Sequence, residues 1–269
     1  FGERQLEKGL KLARDVGTDS WIGQANFSLG VIKQDRGFPL DAMPYFETAH
    51  RTFLASNQPI FAAIAQNNLG LVTGRARDAH EGLAMLDRAR ANHQAMGFPF
   101  GAALADRYSG QILLQLGEID RARHALRQSL QLAPEHMQGW HVANSIEVLS
   151  MIEARQGNPE GAAVLGAGAN RLREEVGVPL EPALAGNWEI HERELRAVLG
   201  EDAYDRASAE GRALPLDQII ARATAKQPGD VPDSDQPGDR STPTEIAFPV
   251  LTAREMEVLA LLVDGRTNP

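Results

Sequence analysis

The 269 residues include no cysteine, only four lysines and no apolar run long enough to span a bilayer. Without cysteine there is no disulfide framework and no thiolate metal site. None of Lys8, Lys11, Lys33 and Lys226 completes G-x-x-x-x-G-K-[ST], so no phosphate-cradling loop can be assembled from them. No membrane partner is expected, and no basic-then-apolar segment opens the chain, which makes the cytoplasm the default location. Aromatic residues are scarce at 6%, while alanine and leucine dominate, a balance that favours helix. The net charge of −9 argues against a broad nucleic-acid-binding surface. Part of that charge is concentrated, since residues 227–249 carry five acids against Arg240 alone.

Catalytic patterns are equally scarce. His191-Glu192 begins an H-E-x-x-H, but Leu195 stands where the second histidine belongs. His136 and His141 are five apart and do not share a helix face, so the histidines read as solvent-facing or capping residues. "GAGANR" at 166–171 starts like a dinucleotide fingerprint, yet Arg171 replaces its third glycine, and close helix packing is the expected use. No G-x-S-x-G occurs, and Glu174-Glu175 reads as solvated helix surface. No catalytic, cofactor-binding or metal-ligating residue is assigned, and the chain is expected not to be an enzyme.

What the sequence does have is a repeat of 40 residues. Gly30, Gly70, Gly110 and Ser150 form one column, preceded by Leu29, Leu69, Ser109 and Leu149. Five before the glycine stand Ala25, Ala65, Ala105 and Ser145. Twelve after it come Ala42, Gly82, Ala122 and Ala162, then Phe46, Leu86, Leu126 and Gly166, then Ala49, Ala89, Ser129 and Ala169. Small residues at fixed positions let two helices approach to about 8–10 Å with the large residues interleaved. Turn signals at 34–37, 116–120 and 156–159 divide each unit into helix A, a short turn and helix B. The extra length is expected between B and the next A, in "LASNQPIF" and "QAMGFPF".

Leu29-Gly30 with Ala42, Phe46 and Ala49 resembles the tetratricopeptide repeat, whose period is 34 rather than 40. The early tryptophan of that family is replaced by Asn26, Gln66 and Asp106. The resemblance implies an all-α helical-hairpin solenoid over residues 1–226, with helix A lining a concave face. Phe27, Asn67, Arg107 and Glu147 share one position of that helix. Asn67, Arg107 and Glu147 are therefore candidate contacts for a protein or small-molecule effector, against the plainer expectation of a variable exposed face.

At the start, "GERQLEKGLKLARDVG" fits an unpaired helix B, so the array is expected to be running already at residue 1. Beyond residue 180 the register fades into two or three helices, with Leu195, Val198 and Leu199 on one face, as terminal repeats do. Residues 227–249, with five prolines, read as an acidic linker. The last segment, 250–269, holds a capping box (Thr252, Glu255) and an apolar stripe of Met256, Leu259, Leu262 and Val263. "LTAREMEVLALLVDGRTN" resembles the beginning of a LuxR-type helix-turn-helix domain, cut short at the lip of its second helix. With the repeats and linker, it resembles the large ATP-binding regulators of that family, whose nucleotide site would have to lie ahead of residue 1. The resemblance implies a sensor or coupling module of a transcription regulator. DNA would be held by the complete parent domain, with Thr252, Arg254, Thr267 and Asn268 near the phosphates and a homodimer on DNA left open. The alternative is a helical-repeat scaffold for protein assembly that does not bind DNA.

Overall fold

The computed structural model describes residues 2–132, 138–177 and 182–225. Those residues form twelve α-helices and, among them, no strand. The linker at 227–249 and the closing segment at 250–269 lie outside the described residues. In order the helices are α1 (Gly2–Val16), α2 (Asp19–Asp35), α3 (Pro39–Ala55), α4 (Pro59–Ala76), α5 (Ala79–Ala95) and α6 (Pro99–Gln115). They continue with α7 (Ile119–Leu132), α8 (Gln138–Arg155), α9 (Pro159–Val176), α10 (Pro182–Leu199), α11 (Glu201–Ala213) and α12 (Leu216–Thr224). The chain divides into two compact units, with the boundary between Tyr108 and Ser109 inside α6.

A 20-residue grid underlies the 40-residue period. Helices begin at Asp19, Pro39, Pro59, Ala79, Pro99, Ile119 and Pro159. Left-handed backbone occurs at Gly17, Gly37, Asn57, Gly97, Gly117, Gly157 and Gly177, on the same spacing. Each such residue ends one helix, because glycine adopts positive φ without a Cβ penalty, and asparagine is the side chain that tolerates it best. Proline two residues on, in Gly37-Phe38-Pro39, Asn57-Gln58-Pro59, Gly97-Phe98-Pro99 and Gly157-Asn158-Pro159, sets φ for the first turn of the next helix, where no amide hydrogen is needed.

The grid corrects one expectation. The connections from helix B to the next helix A, residues 56–58 and 96–98, are as short as the A-to-B connection at 36–38. The six residues beyond a 34-residue period lengthen the helices instead, most of which run to 17 or 18 residues.

The hairpin register follows the small columns. A Cβ at Gly30 would lie 2.8 Å from Phe46 Cε1, and one at Gly70 would lie 2.9 Å from Leu86 Cγ. At Gly110 the neighbour is Leu126 Cγ, at 2.6 Å. In the fourth hairpin the sizes are reversed: Ser150 sits on the A helix and Gly166 on the B helix, with Ser150 Oγ 3.3 Å from a Cβ at Gly166. The ring of Trp188 from α10 fills the space left, its Cη2 only 2.7 Å from that Cβ position. Phe46, Leu86 and Leu126 are completely buried, as are Ala42, Ala49, Ala89, Ala122, Ala162 and Ala169. Consecutive antiparallel helix hairpins are therefore the building unit, as the periodicity predicts.

α9 departs from the other B helices. Where α3 and α5 expose their outer faces, Gly161–Ala169 is buried on every side. Its sequence, "GAAVLGAGA", is apolar all round, and such a helix must be covered. α11 does this: Gly211 backs so closely onto the Val164 carbonyl that no Cβ would fit. The face drawn through Leu195, Val198 and Leu199 is only partly used. Leu195 is buried, whereas Val198 is 70% exposed.

Candidate functional site

The polar side chains proposed for an open face of the A helices are buried. Asn67 and Arg107 show no exposed surface, and Glu147 is 1% exposed. In the first unit, Asn67 sits between two helices that follow it. Its Nδ2 donates to the Gly101 carbonyl at 3.0 Å and lies 3.1 Å from His93 Nε2. His93 is also fully buried. Burial pushes its pKa down to about 4, so near neutral pH the ring is uncharged and its Nε2 accepts from the amide. One turn along α6, Asp106 pairs with Arg90 of α5 at 2.7 Å. Burial raises the Asp106 carboxyl to about 6, with Arg90 opposing the rise. Tyr108 Oη reaches Asn68 Oδ1 at 3.3 Å, joining equivalent positions of two successive A helices. The Arg107 guanidinium lies over the Tyr108 ring, 4.6 Å from its centroid.

In the second unit, Glu147 Oε1 accepts from Arg173 Nε at 2.9 Å, and a second contact joins Glu147 Oε2 to Arg173 Nη2. Glu147 and Arg173 stand 80 residues beyond Asn67 and His93, so one place in the hairpin is filled by a neutral pair in one unit and an ion pair in the other. The equivalent positions 27 and 53 hold phenylalanines, both buried. Arg123 approaches Glu153 at 3.2 Å, and Asn158 Nδ2 donates to Glu153 at 2.7 Å, tying the α8–α9 turn to α7. Asn158 is also the N-cap of α9, accepting from the Gly161 amide.

Three histidines differ from the expectation of solvent-facing or capping roles, whereas His80 is exposed as expected. His93, His141 and His191 are buried, and each is bonded within its own unit rather than facing solvent or capping a helix. Ser150 Oγ donates to the Ala162 carbonyl at 2.7 Å and lies 3.0 Å from His191 Nε2. Burial holds His191 at about 4, with the Arg155 charge adding to the drop. Among the described residues no group of three histidines and carboxylates is placed to hold a metal ion. None of their helices is long and apolar enough to cross a membrane.

These rows fix register. A buried amide, imidazole or carboxylate held by a specific partner makes every shifted packing leave a polar group unpaired, at about 1–3 kcal/mol each. The repeat offset of 80 between the Asn67–His93 and Glu147–Arg173 pairs was readable from the columns, but only with helix B position 53 set beside helix A position 27. Thr252, Arg254, Thr267 and Asn268 lie outside the described residues. No protein-family model matches the chain, and no curated protein matches it either.

Proposed function

We propose that the helical hairpins form a tetratricopeptide-like scaffold that holds other proteins and does not itself bind DNA. The observation that supports this most directly is the contact of Gly30, Gly70 and Gly110 with Phe46, Leu86 and Leu126, one register carried through successive hairpins. Arrays of this construction present extended surfaces whose curvature follows from small rotations per repeat, and such surfaces suit protein partners. Affinity capture with the whole chain, followed by calorimetry on each purified partner, tests the reading. One-to-one complexes at micromolar affinity or better are expected; no complex in that range refutes the scaffold.

A second reading is favoured by one feature, the LuxR-like string at 251–268. In it the repeats sense an effector and control a DNA-binding head through the linker, inside a cytoplasmic transcription regulator. A gel shift compares the 269-residue chain with a longer form that adds the rest of the helix-turn-helix domain. Under this reading only the longer form binds a specific promoter, because the string at 251–268 resembles the first helix of such a domain and not its groove-entering helix. Specific binding by neither form leaves the scaffold alone standing.

A further inference from the structure

α12 is bound as a ligand would be. It is nine residues long, shorter than the length of about 12–15 that an isolated helix needs in water, so its helicity depends on docking. It lies against α7, α8 and α9 of its own unit. Two anchors one turn apart, Ile219 and Ala223, are buried, while Asp217, Gln218, Ala221 and Arg222 face outward. The seat for Ile219 is a glycine. A Cβ at Gly168 would fall 2.7 Å from Ile219 Cδ1, whereas the other B helices carry Thr48, Arg88 and Gln128 at that position.

Both ends of the short helix are held by arginines. Arg171 of α9 donates to the Leu214 carbonyl at 2.8 Å, just ahead of the helix. Arg127 of α7 donates to the Ala225 carbonyl at its C-terminal end, where the helix dipole favours a cation. A glycine-floored apolar seat with a basic group at the helix C-terminus recognises helical backbone polarity and one pair of side chains, and little else. That is the chemistry of a helix-in-groove site.

We propose that α7, α8 and α9 form a helix-binding groove, and that α12 is its displaceable resident. The incoming ligand would be an amphipathic helix of a partner protein, with a branched aliphatic residue and a small residue four apart. The proposal rests on the protein-interaction reading above and narrows it to one groove and one ligand class. Displacement would also free the chain at the point where it runs on into the Pro-rich residues 227–249, giving partner binding a route to whatever that segment carries.

The test uses the full chain and a fluorescent peptide of residues 214–225. A groove already occupied weakens an incoming ligand in proportion to the fraction of time it stands open. Ile219→Asp evicts α12, so the peptide should bind that variant at least about tenfold more tightly than the parent chain. Adding Gly168→Val to fill the seat should abolish this binding, and adding Arg127→Ala should weaken it several-fold. No binding to a folded Ile219→Asp chain overturns the groove, and so does a variant that has lost its helical circular dichroism, since α12 would then be integral to its unit. Hydrogen exchange on the unaltered chain gives a second reading. Amides of α12 should exchange well before those of α9, and equal protection overturns displaceability. These outcomes leave the scaffold reading untouched, because its own test is complex formation by the whole chain.

Discussion

The Glu147–Arg173 pair makes a demanding test of the repeat register, because its place in the hairpin is known in two other chemistries. Glu147→Ala removes the carboxylate and leaves a guanidinium on a residue only 5% exposed. An uncompensated buried charge costs about 3–5 kcal/mol. At about 2–4 °C per kcal/mol for a body of this size, the melting temperature should fall by about 6–20 °C. The double substitution Glu147→Asn with Arg173→His installs the pair found at Asn67 and His93. Two neutral groups that hydrogen-bond each other leave no buried charge, so the double variant should recover all but about 1–2 kcal/mol of the loss. Thermal and urea melts of the parent chain, Glu147→Asn, Arg173→His and the double variant, followed by circular dichroism, close a cycle that yields the coupling energy. A coupling below about 0.5 kcal/mol would show that the two positions act independently, and the equivalence of the hairpins would be wrong.

The remaining predictions concern packing, turns and pH. Gly110→Val should overpack the contact with Leu126 and cost about 1–3 kcal/mol, read in a urea melt. Gly97→Ala, at φ +64°, should destabilise by about 1 kcal/mol, whereas Gly186→Ala, inside α10 with open space around it, should stabilise by a similar amount in the same assay. His93 and His191 are held near 4 in the native state, so the unfolded chain takes up their protons first as pH falls below 6.5. Each therefore contributes stability that is present above pH 6.5 and lost on the way to pH 4, about 3 kcal/mol apiece. Asp106, raised to about 6, works the other way: its native carboxyl takes a proton first below pH 6 and returns about 3 kcal/mol by pH 4. The net loss between pH 7 and pH 4 should be about 3–4 kcal/mol, and Asp106→Asn should deepen the acid loss by removing the offset. A flat stability profile over that range would contradict the assigned burial.

Much of the architecture was legible because it rests on residue size. The Gly30 and Phe46 columns carried the helix pairing and its register, and those columns are plain in the primary structure. The turns were equally legible but easily misread. Gly-x-Pro at 37–39, 97–99 and 157–159, with Asn57-Gln58-Pro59 between, marks a 20-residue spacing that comparison at 40 residues hides. Burial of the polar column was not legible. Asn67 looks like a surface residue until Gly101 and His93 are set beside it, and those partners come from two other helices. Reversal of sizes at Ser150 and Gly166 was likewise invisible, because the compensating bulk of Trp188 arrives from outside the repeat.

The equal spacing of turns sets how this chain can gain or lose length. Removing residues 59–98 would join Asn57-Gln58 directly to Pro99, recreating the same turn and keeping every A position an A position. Removing only 59–78 would keep the 20-residue spacing of the turns but follow α3 directly with α5, leaving Leu86 without the Gly70 contact that its own A helix supplies. Local geometry would therefore accept an excision of one helix, and only side-chain volume would reject it. In such a chain the loops do not count the repeats; the alternation of small and large side chains does.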